Sequence, residues 1–241
     1  MPLEHVKITY ASATQSSPNH SNEDQHLLLP KHRFFAVADG LGGHQGGAKA
    51  SHTAITSLHD SIHALYSTDQ RYELETLTTA LSHAFTQANA HLYQPDQICG
   101  TTLCALLFDG RFAIHAHVGD TRLYRLRHNQ LDLLTIDHSM SQHLKVQKAH
   151  NATACQHQLT RAIGCEPTIK TTVGCQVAFP HDRFLICTDG VYSHLPTAHI
   201  QEIMENPSLQ RACDLLISTA RLRGSTDDAT AIIVQVELPQ A

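Results

Sequence analysis

Apolar positions near the start of the chain come in short extended runs rather than at helical spacing. Val6 to Ala11, Gln25 to Leu29 and Arg33 to Ala38 read as strands, the last two connected by Pro30-Lys31-His32. The period then changes. Ala50, Ala54, Ile55, Leu58, Ile62 and Leu65 predict a helix from Gly47 to Leu65, and Leu74, Leu77, Leu81, Ala84 and Ala88 predict a second from Tyr72 to Leu92. Beyond it, GTTLCALLFDGRFAIHAHVGDTRLYRLRHNQLDLL reads as an antiparallel meander. Asp109-Gly110 is its two-residue hairpin signal, Gly119-Asp120 breaks the next strand, and His128-Asn129 closes another turn. A helical stretch is expected from Ser139 to Lys148, and strands over Ile169 to Val177 and Arg183 to Thr188. A helix signalled by Asn206-Pro207 runs to Arg223, where Gly224 stops it, and Ala231 to Val236 is the last strand. Helices arriving in pairs between hairpin-connected strands predict an α+β fold with segregated layers, not the alternating βαβ units of a parallel sheet. No repeat, low-complexity tract or linker interrupts the pattern, so residues 1–241 read as a single domain.

Composition narrows the function classes. With 41% hydrophobic residues the chain can bury a substantial core. No apolar run approaches the roughly 18 residues of a membrane span. The stretch MPLEHVKITYASATQ lacks the basic-then-apolar pattern of an export signal, so a cytoplasmic protein is expected; the chain is also expected to be a monomer without a membrane partner. Seven cysteines, an odd set with no C-x-x-C pair, argue against a zinc knuckle and a secreted disulfide framework; they read as reduced, mostly buried small hydrophobes. A net charge of −5 with scattered lysine and arginine argues against a nucleic-acid partner, and 5% aromatics without tryptophan offer no stacking platform. Twenty histidines are dispersed without H-E-x-x-H spacing and read as surface and helix residues rather than zinc ligands.

Acids recur where apolar runs end. Asp39 follows Phe34 to Ala38, Asp120 ends HAHVGD, Asp189 ends FLICTD, and Asp227 and Asp228 precede the last strand. Singly, each is ordinary turn chemistry. Jointly, convergent carboxylates would repel by about 4 kcal/mol per pair at ~4 Å and an effective dielectric of ~20, so cations must compensate them. An oxygen-rich set without thiolate or imidazole partners favours Mg²⁺ or Mn²⁺. Glycine beside such an acid lets a backbone carbonyl reach a metal. Nucleotide readings of the glycine run fail, because GGHQGGAK lacks the Gly-Lys-Ser/Thr of a P-loop and Gln45 occupies the last glycine of G-x-G-x-x-G.

These residues together resemble the metal-dependent protein serine/threonine phosphatases of type 2C, in their compact bacterial form. The resemblance is carried by NED (Asn22 to Asp24), VADGLGGHQGGAKAS (Val37 to Ser51), GTT (Gly100 to Thr102), HVGDTRLYR (His117 to Arg125), DHS (Asp137 to Ser139), LTRAIG (Leu159 to Gly164), LICTDGV (Leu185 to Val191) and TDDAT (Thr226 to Thr230). It implies a four-layer αββα sandwich: two antiparallel sheets flanked by helix pairs, with a metal centre at one end. It also implies that Asp39 bridges two ions of Mn²⁺ or Mg²⁺, that the Gly40 carbonyl binds one, and that Asp189 and Asp227 complete the other. Glu23 and Asp24 would act through water, Asp120 with Asp189 would hold a third ion, and His44 would serve as general acid. Two cations ~3.5 to 4 Å apart would then activate a bridging water for in-line attack on a phosphoserine or phosphothreonine phosphorus. The implied partner is a phosphorylated protein, in opposition to a Ser/Thr kinase in bacterial signalling or secretion.

The chain departs from the family pattern at several points. Asn19 stands where a phosphate-binding arginine is usual, Ala48 where glutamate is frequent, and Asp228 where asparagine follows the last ligand; Ser139 to Gln158 is a short flap. Asn19 and the flap motivate a rival reading, a weakly active or inactive metal-binding regulatory module that binds a phosphorylated partner. A small phosphorylated metabolite is a third candidate substrate, since a short flap leaves the site open.

Overall fold

The computed structural model describes residues 7–41, 45–67, 70–95, 99–140, 142 and 158–237. Strands β1 (Ile8–Gln15), β2 (Gln25–Leu29), β3 (Phe34–Ala38) and the short β4 (Gly40–Leu41) precede helices α1 (Gln45–Leu65) and α2 (Leu74–Leu92). Next come β5 (Gly100–Thr101), β6 (Leu103–Asp109), β7 (Phe112–Val118), β8 (Arg122–Arg127), β9 (Gln130–Leu133), β10 (Thr172–Val177) and β11 (Arg183–Cys187). Three helices, α3 (Asp189–Tyr192), α4 (Thr197–Met204) and α5 (Leu209–Leu222), lead to β12 (Ala229–Val236).

Two five-stranded antiparallel sheets, ordered β1-β12-β11-β8-β9 and β10-β7-β6-β3-β2, form the centre, and β4 pairs with β5 beside them. The two-residue period of a strand builds the layers. In β3, Phe34, Ala36 and Ala38 pack beneath α1 and α2, while Phe35 and Val37 turn the other way, into the space between the sheets. In β12, Ala229, Ala231 and Ile233 pack beneath α5, and Ile232, Val234 and Val236 face the opposite sheet. Both faces of these strands are covered, which is why they read as unbroken apolar runs rather than as alternation. Phe108 of β6 and Phe184 of β11 meet edge-to-face across the two sheets, with ring centroids 5.4 Å apart. The expected four-layer αββα arrangement is the one observed.

Boundaries differ from the sequence expectation in instructive ways. β1 runs to Gln15, past the expected end at Ala11, because its polar second half keeps pairing with β12 from Ser12↔Ile232 to Gln15↔Ala229. The first hairpin turns at Gly110-Arg111, one residue later than Asp109-Gly110, since Asp109 still pairs with Phe112 and Gly110 takes the positive φ of 51°. His128 and Asn129, with φ of 50° and 58°, close the second hairpin as expected. α5 begins after Ser208, whose hydroxyl caps the Arg211 amide, so Pro207 lies outside the helix. α3 and α4 were not expected, being short. The helix expected over Ser139 to Lys148 lies almost wholly outside the described residues. Among the described cysteines all six are free thiols; Cys104, Cys187 and Cys213 are buried and Cys165 is exposed.

One polar tie joins the sheets at the end away from the acids. Arg127 on β8 donates to both oxygens of Asp182 (2.7 and 2.6 Å) and to the Val177 carbonyl on β10 of the other sheet (2.7 Å). Asp182 is 1% exposed and also accepts the Phe179 amide. Replacing Arg127 with alanine strands that carboxylate, at a cost of about 3–5 kcal/mol. Urea unfolding of Arg127→Ala should show that loss as a lower midpoint, and a midpoint unchanged from wild type would refute the assignment.

Candidate active site

The acids at the strand ends meet at one edge of the sandwich, and the backbone that carries them is tied down first. Asp39 leaves β3 with its amide donating to the Thr102 hydroxyl (2.9 Å) and its carbonyl accepting from the Thr102 amide and the Thr101 hydroxyl (both 2.8 Å). Its backbone is thereby saturated and its carboxylate is left to face its neighbours. Thr102 shares a further hydrogen bond with Thr121 (2.6 Å), which ties this point to the loop carrying Asp120.

Gly40 pairs with Thr101 and lies so close to α1 that a Cβ there would come within 2.3 Å of the Gly47 carbonyl oxygen. A Cβ on Gly47 would come within 2.5 Å of Glu23 Oε2. Glycine at both positions therefore lets the first turn of α1, the Asp39 tip and Glu23 share one small volume. Ser51 on α1 completes the contact by donating to the Glu23 carbonyl (2.5 Å).

The opposite wall comes from the other sheet. Asp228 is 3% exposed and uses each carboxylate oxygen for one backbone amide, Ser17 (2.6 Å) and Glu23 (2.6 Å). An asparagine would offer only one acceptor oxygen, so the acid at this position is explained by a loop held at both ends. Asp227 beside it is exposed and accepts the Asp228 amide (2.9 Å). Asp189 opens α3. Gly190 follows because a Cβ would stand 1.9 Å from the Asp228 carbonyl oxygen. Asp24 is buried, with Oδ2 accepting from Thr188 (3.0 Å), and Thr188 in turn accepts the Thr230 amide of β12 (3.0 Å).

Electrostatics show how crowded the edge is. Burial raises the Asp39 carboxyl well above the ordinary range, and Asp24, Asp189, Asp120 and Asp227 raise it further. Burial also lifts Asp24 to about 8 and Asp120 to about 6. Asp24 Oδ1 is buried without a hydrogen-bond donor. Among the described residues no three His, Cys, Asp or Glu side chains are closed on a common point in metal-holding geometry. All-oxygen side chains and a buried Asp24 oxygen without a donor suit a hard divalent cation.

Of the residues singled out from sequence, Asp39, Gly40, Asp189, Asp227, Asp120, Glu23 and Asp24 fall at this edge, and His44 lies outside the described residues. So does most of the Ser139 to Gln158 flap. Asn19 sits on the loop held by Asp228, its amide on the Ser17 hydroxyl (3.1 Å). Thr101, Thr102, Ser51 and Thr188 lie inside the motifs that carry the resemblance and here support the acids, whereas Tyr192 lies outside every motif and gave no signal, tyrosine being an ordinary strand and core residue.

A carboxyl whose folded pKa is raised stabilises the fold fully only below its unfolded value, and the stabilisation fades as pH rises through the folded one. For Asp24 and Asp120 that window runs from about 4, the ordinary carboxylate value, to about 8. Thermal melts of chelator-treated protein should fall across it, and Mn²⁺ should raise the midpoint most at its alkaline end. Midpoints independent of pH in the metal-free protein would contradict the crowding described here.

Comparison with known proteins identifies one family. The chain is 30% identical over 236 residues to "Serine/threonine phosphatase stp" of Listeria innocua, covering 92% of each chain. The catalytic domain of the serine/threonine phosphatase PstP, solved with two manganese ions, superposes with a TM-score of 0.84 at 28% identity over 96% of this chain and 99% of that one. PppA, described as a key regulatory component of T6SS in Pseudomonas aeruginosa, gives 0.85 at 26% identity over 97% of this chain and all of its own. The family model "Protein phosphatase 2C" matches residues 13–224, and the chain belongs to that family.

Proposed function

We propose that Asp39, Gly40, Asp189 and Asp227 directly hold two Mn²⁺ or Mg²⁺ ions, with Glu23 and Asp24 acting through water and Asp120 contributing to a third site. The chain is a metal-dependent protein serine/threonine phosphatase acting on phosphoproteins, and this assignment says which of its residues do the work. The observation that carries it is Asp39, whose backbone is fully tied and whose carboxyl is surrounded by four other acids.

Divalent cations held there supply the charge that activates water and neutralises phosphoryl oxygens. The protein's share is placement. Thr101 and Thr102 hold the Asp39 tip, Asp228 holds the loop that presents Glu23, and Thr188 orients Asp24. Each support engages backbone or a single carboxylate oxygen. His44 is assigned the donation of a proton to the leaving serine or threonine oxygen, on the family resemblance.

We place the enzyme in the cytoplasm, opposite a Ser/Thr kinase, in signalling or secretion control. Free thiols at all six described cysteines support a reducing compartment. No helix among the described residues is long and apolar enough to cross a membrane. The name of PppA motivates the secretion branch.

Phosphate release from a phosphothreonine peptide, run beside para-nitrophenyl phosphate, tests the assignment. Release should require Mn²⁺ or Mg²⁺ and fall by about 10²- to 10³-fold in Asp39→Asn and Asp189→Asn, the loss of ~3–4 kcal/mol of transition-state stabilisation. Folded protein that binds Mn²⁺ but releases no phosphate would leave a metal-binding regulatory module instead.

A further inference from the structure

Asp120 sits in the crossing from β7 to β8, where the chain passes from one sheet to the other. His138 holds that crossing on one side: its amide donates to the Gly119 carbonyl (3.0 Å) and its Nδ1 accepts the Gly119 amide (3.2 Å). The Thr121 hydroxyl, paired with Thr102 (2.6 Å), holds it on another. A further hold comes from α3, where the Tyr192 hydroxyl donates to the Asp120 carbonyl (3.0 Å). Tyr192 lies three residues after Asp189 on that single helical turn, so the two side chains leave the same side of it.

The ring that carries this hydroxyl is itself fixed. The Arg122 guanidinium lies 3.7 Å from the Tyr192 ring centroid. Arg122 is in turn held by both oxygens of Asp137, with Nη2 to Oδ2 at 2.7 Å and Nε to Oδ1 at 3.0 Å, and it donates to the Tyr124 hydroxyl (3.1 Å). Asp137, Arg122, Tyr192 and Asp120 therefore form a chain of contacts that ends beside Asp189.

We propose that Tyr192 is a positioning residue that fixes the Asp120 loop against the Asp189 helix and so sets the affinity of the cation shared by those two carboxylates. The inference rests on the metal assignment above. Tyr192 touches neither phosphate nor the Asp39 tip in this scheme; it acts through the Asp120 backbone.

Calorimetric titration of the metal-free full chain with Mn²⁺ tests it, in wild type, Tyr192→Phe, Asp120→Ala and Asp39→Asn. Phenylalanine keeps the ring under Arg122 and removes only the hydroxyl. The expected result is a weak binding event that Asp120→Ala abolishes and Tyr192→Phe weakens about tenfold, the lower end of what outer supports of metal ligands contribute. The tighter events, lost in Asp39→Asn, should be unchanged in Tyr192→Phe, as should the KM for the phosphopeptide. An unchanged weak event in Tyr192→Phe overturns the proposal, as does equal weakening of every event, which would mark a general structural role. If Asp120→Ala removes no binding event, the proposal falls with the third site, while Asp39-dependent events keep the phosphatase assignment intact.

Discussion

Carboxylates that repel one another stay together only if something other than their own charge holds them, and here that hold is backbone hydrogen bonding at strand ends. The amide and carbonyl of Asp39 are consumed by Thr101 and Thr102. Asp228 gives both of its oxygens to the amides of Ser17 and Glu23, and Thr188 connects Asp24 to the β12 backbone. These are buried or half-buried bonds in which one partner is often charged, the stronger kind. At Asp39 they fix main chain alone, and at Asp24 they engage one carboxylate oxygen. The stability of the edge is therefore a property of the metal-loaded protein more than of the chain alone.

The sandwich supplies that edge by bringing different sheets to one place. Asp39 ends β3 of one sheet, whereas Asp189 and Asp227 flank β11 and β12 of the other. Two close backbone approaches, Gly40 on Gly47 and Gly190 on Asp228, draw the layers together where any larger residue would force them apart. His20 lies on the loop between the two Asp228 anchors, with Nδ1 3.0 Å from the Ser21 carbonyl and 3.7 Å from Asp228 Oδ2. That carbonyl contact, opposed by burial and reinforced by Asp228, Glu23 and Asp227, pushes the imidazole toward its charged form. This imidazole stands one residue from Asn19, on the loop that Asp228 holds.

Much of this was legible before any coordinates. Asp39, Asp120 and Asp189 stood out because a strand buried on both faces reads as an apolar run, and the acid that ends it is conspicuous. The layer class followed from paired helical periods between hairpin signals. Glu23 and Asp24 were legible only through resemblance, since NED lies in a loop without period. Thr188 was marked only as part of LICTDGV, with no role attached, and nothing marked Tyr192, whose residue type belongs equally to any strand or core. α4 escaped because eight residues with only Ile200 and Met204 buried present too few apolar positions to establish a 3.6-residue period. The off-by-one hairpin at Gly110 shows that a turn dipeptide locates a reversal without fixing its register: Asp109 still had a partner in Phe112, and pairing it outweighed placing Asp-Gly at the turn.

The short helix α3 shows how few residues this design requires. Asp189 begins it, Gly190 lets it approach Asp228, Val191 anchors it in the core beneath β12, and Tyr192 reaches back to the Asp120 loop. Four residues thus join an acid, a close contact, a hydrophobic anchor and a cross-sheet tether. Such a turn could not hold its shape alone, because one helical turn does not recover its nucleation cost. Its conformation is imposed by the strands and loops it touches, and Asp189 inherits its position from them. The Asp120 crossing and the Asp228 loop therefore both bear on where Asp189 sits, through the Tyr192 hydroxyl on one side and the close approach of Gly190 on the other.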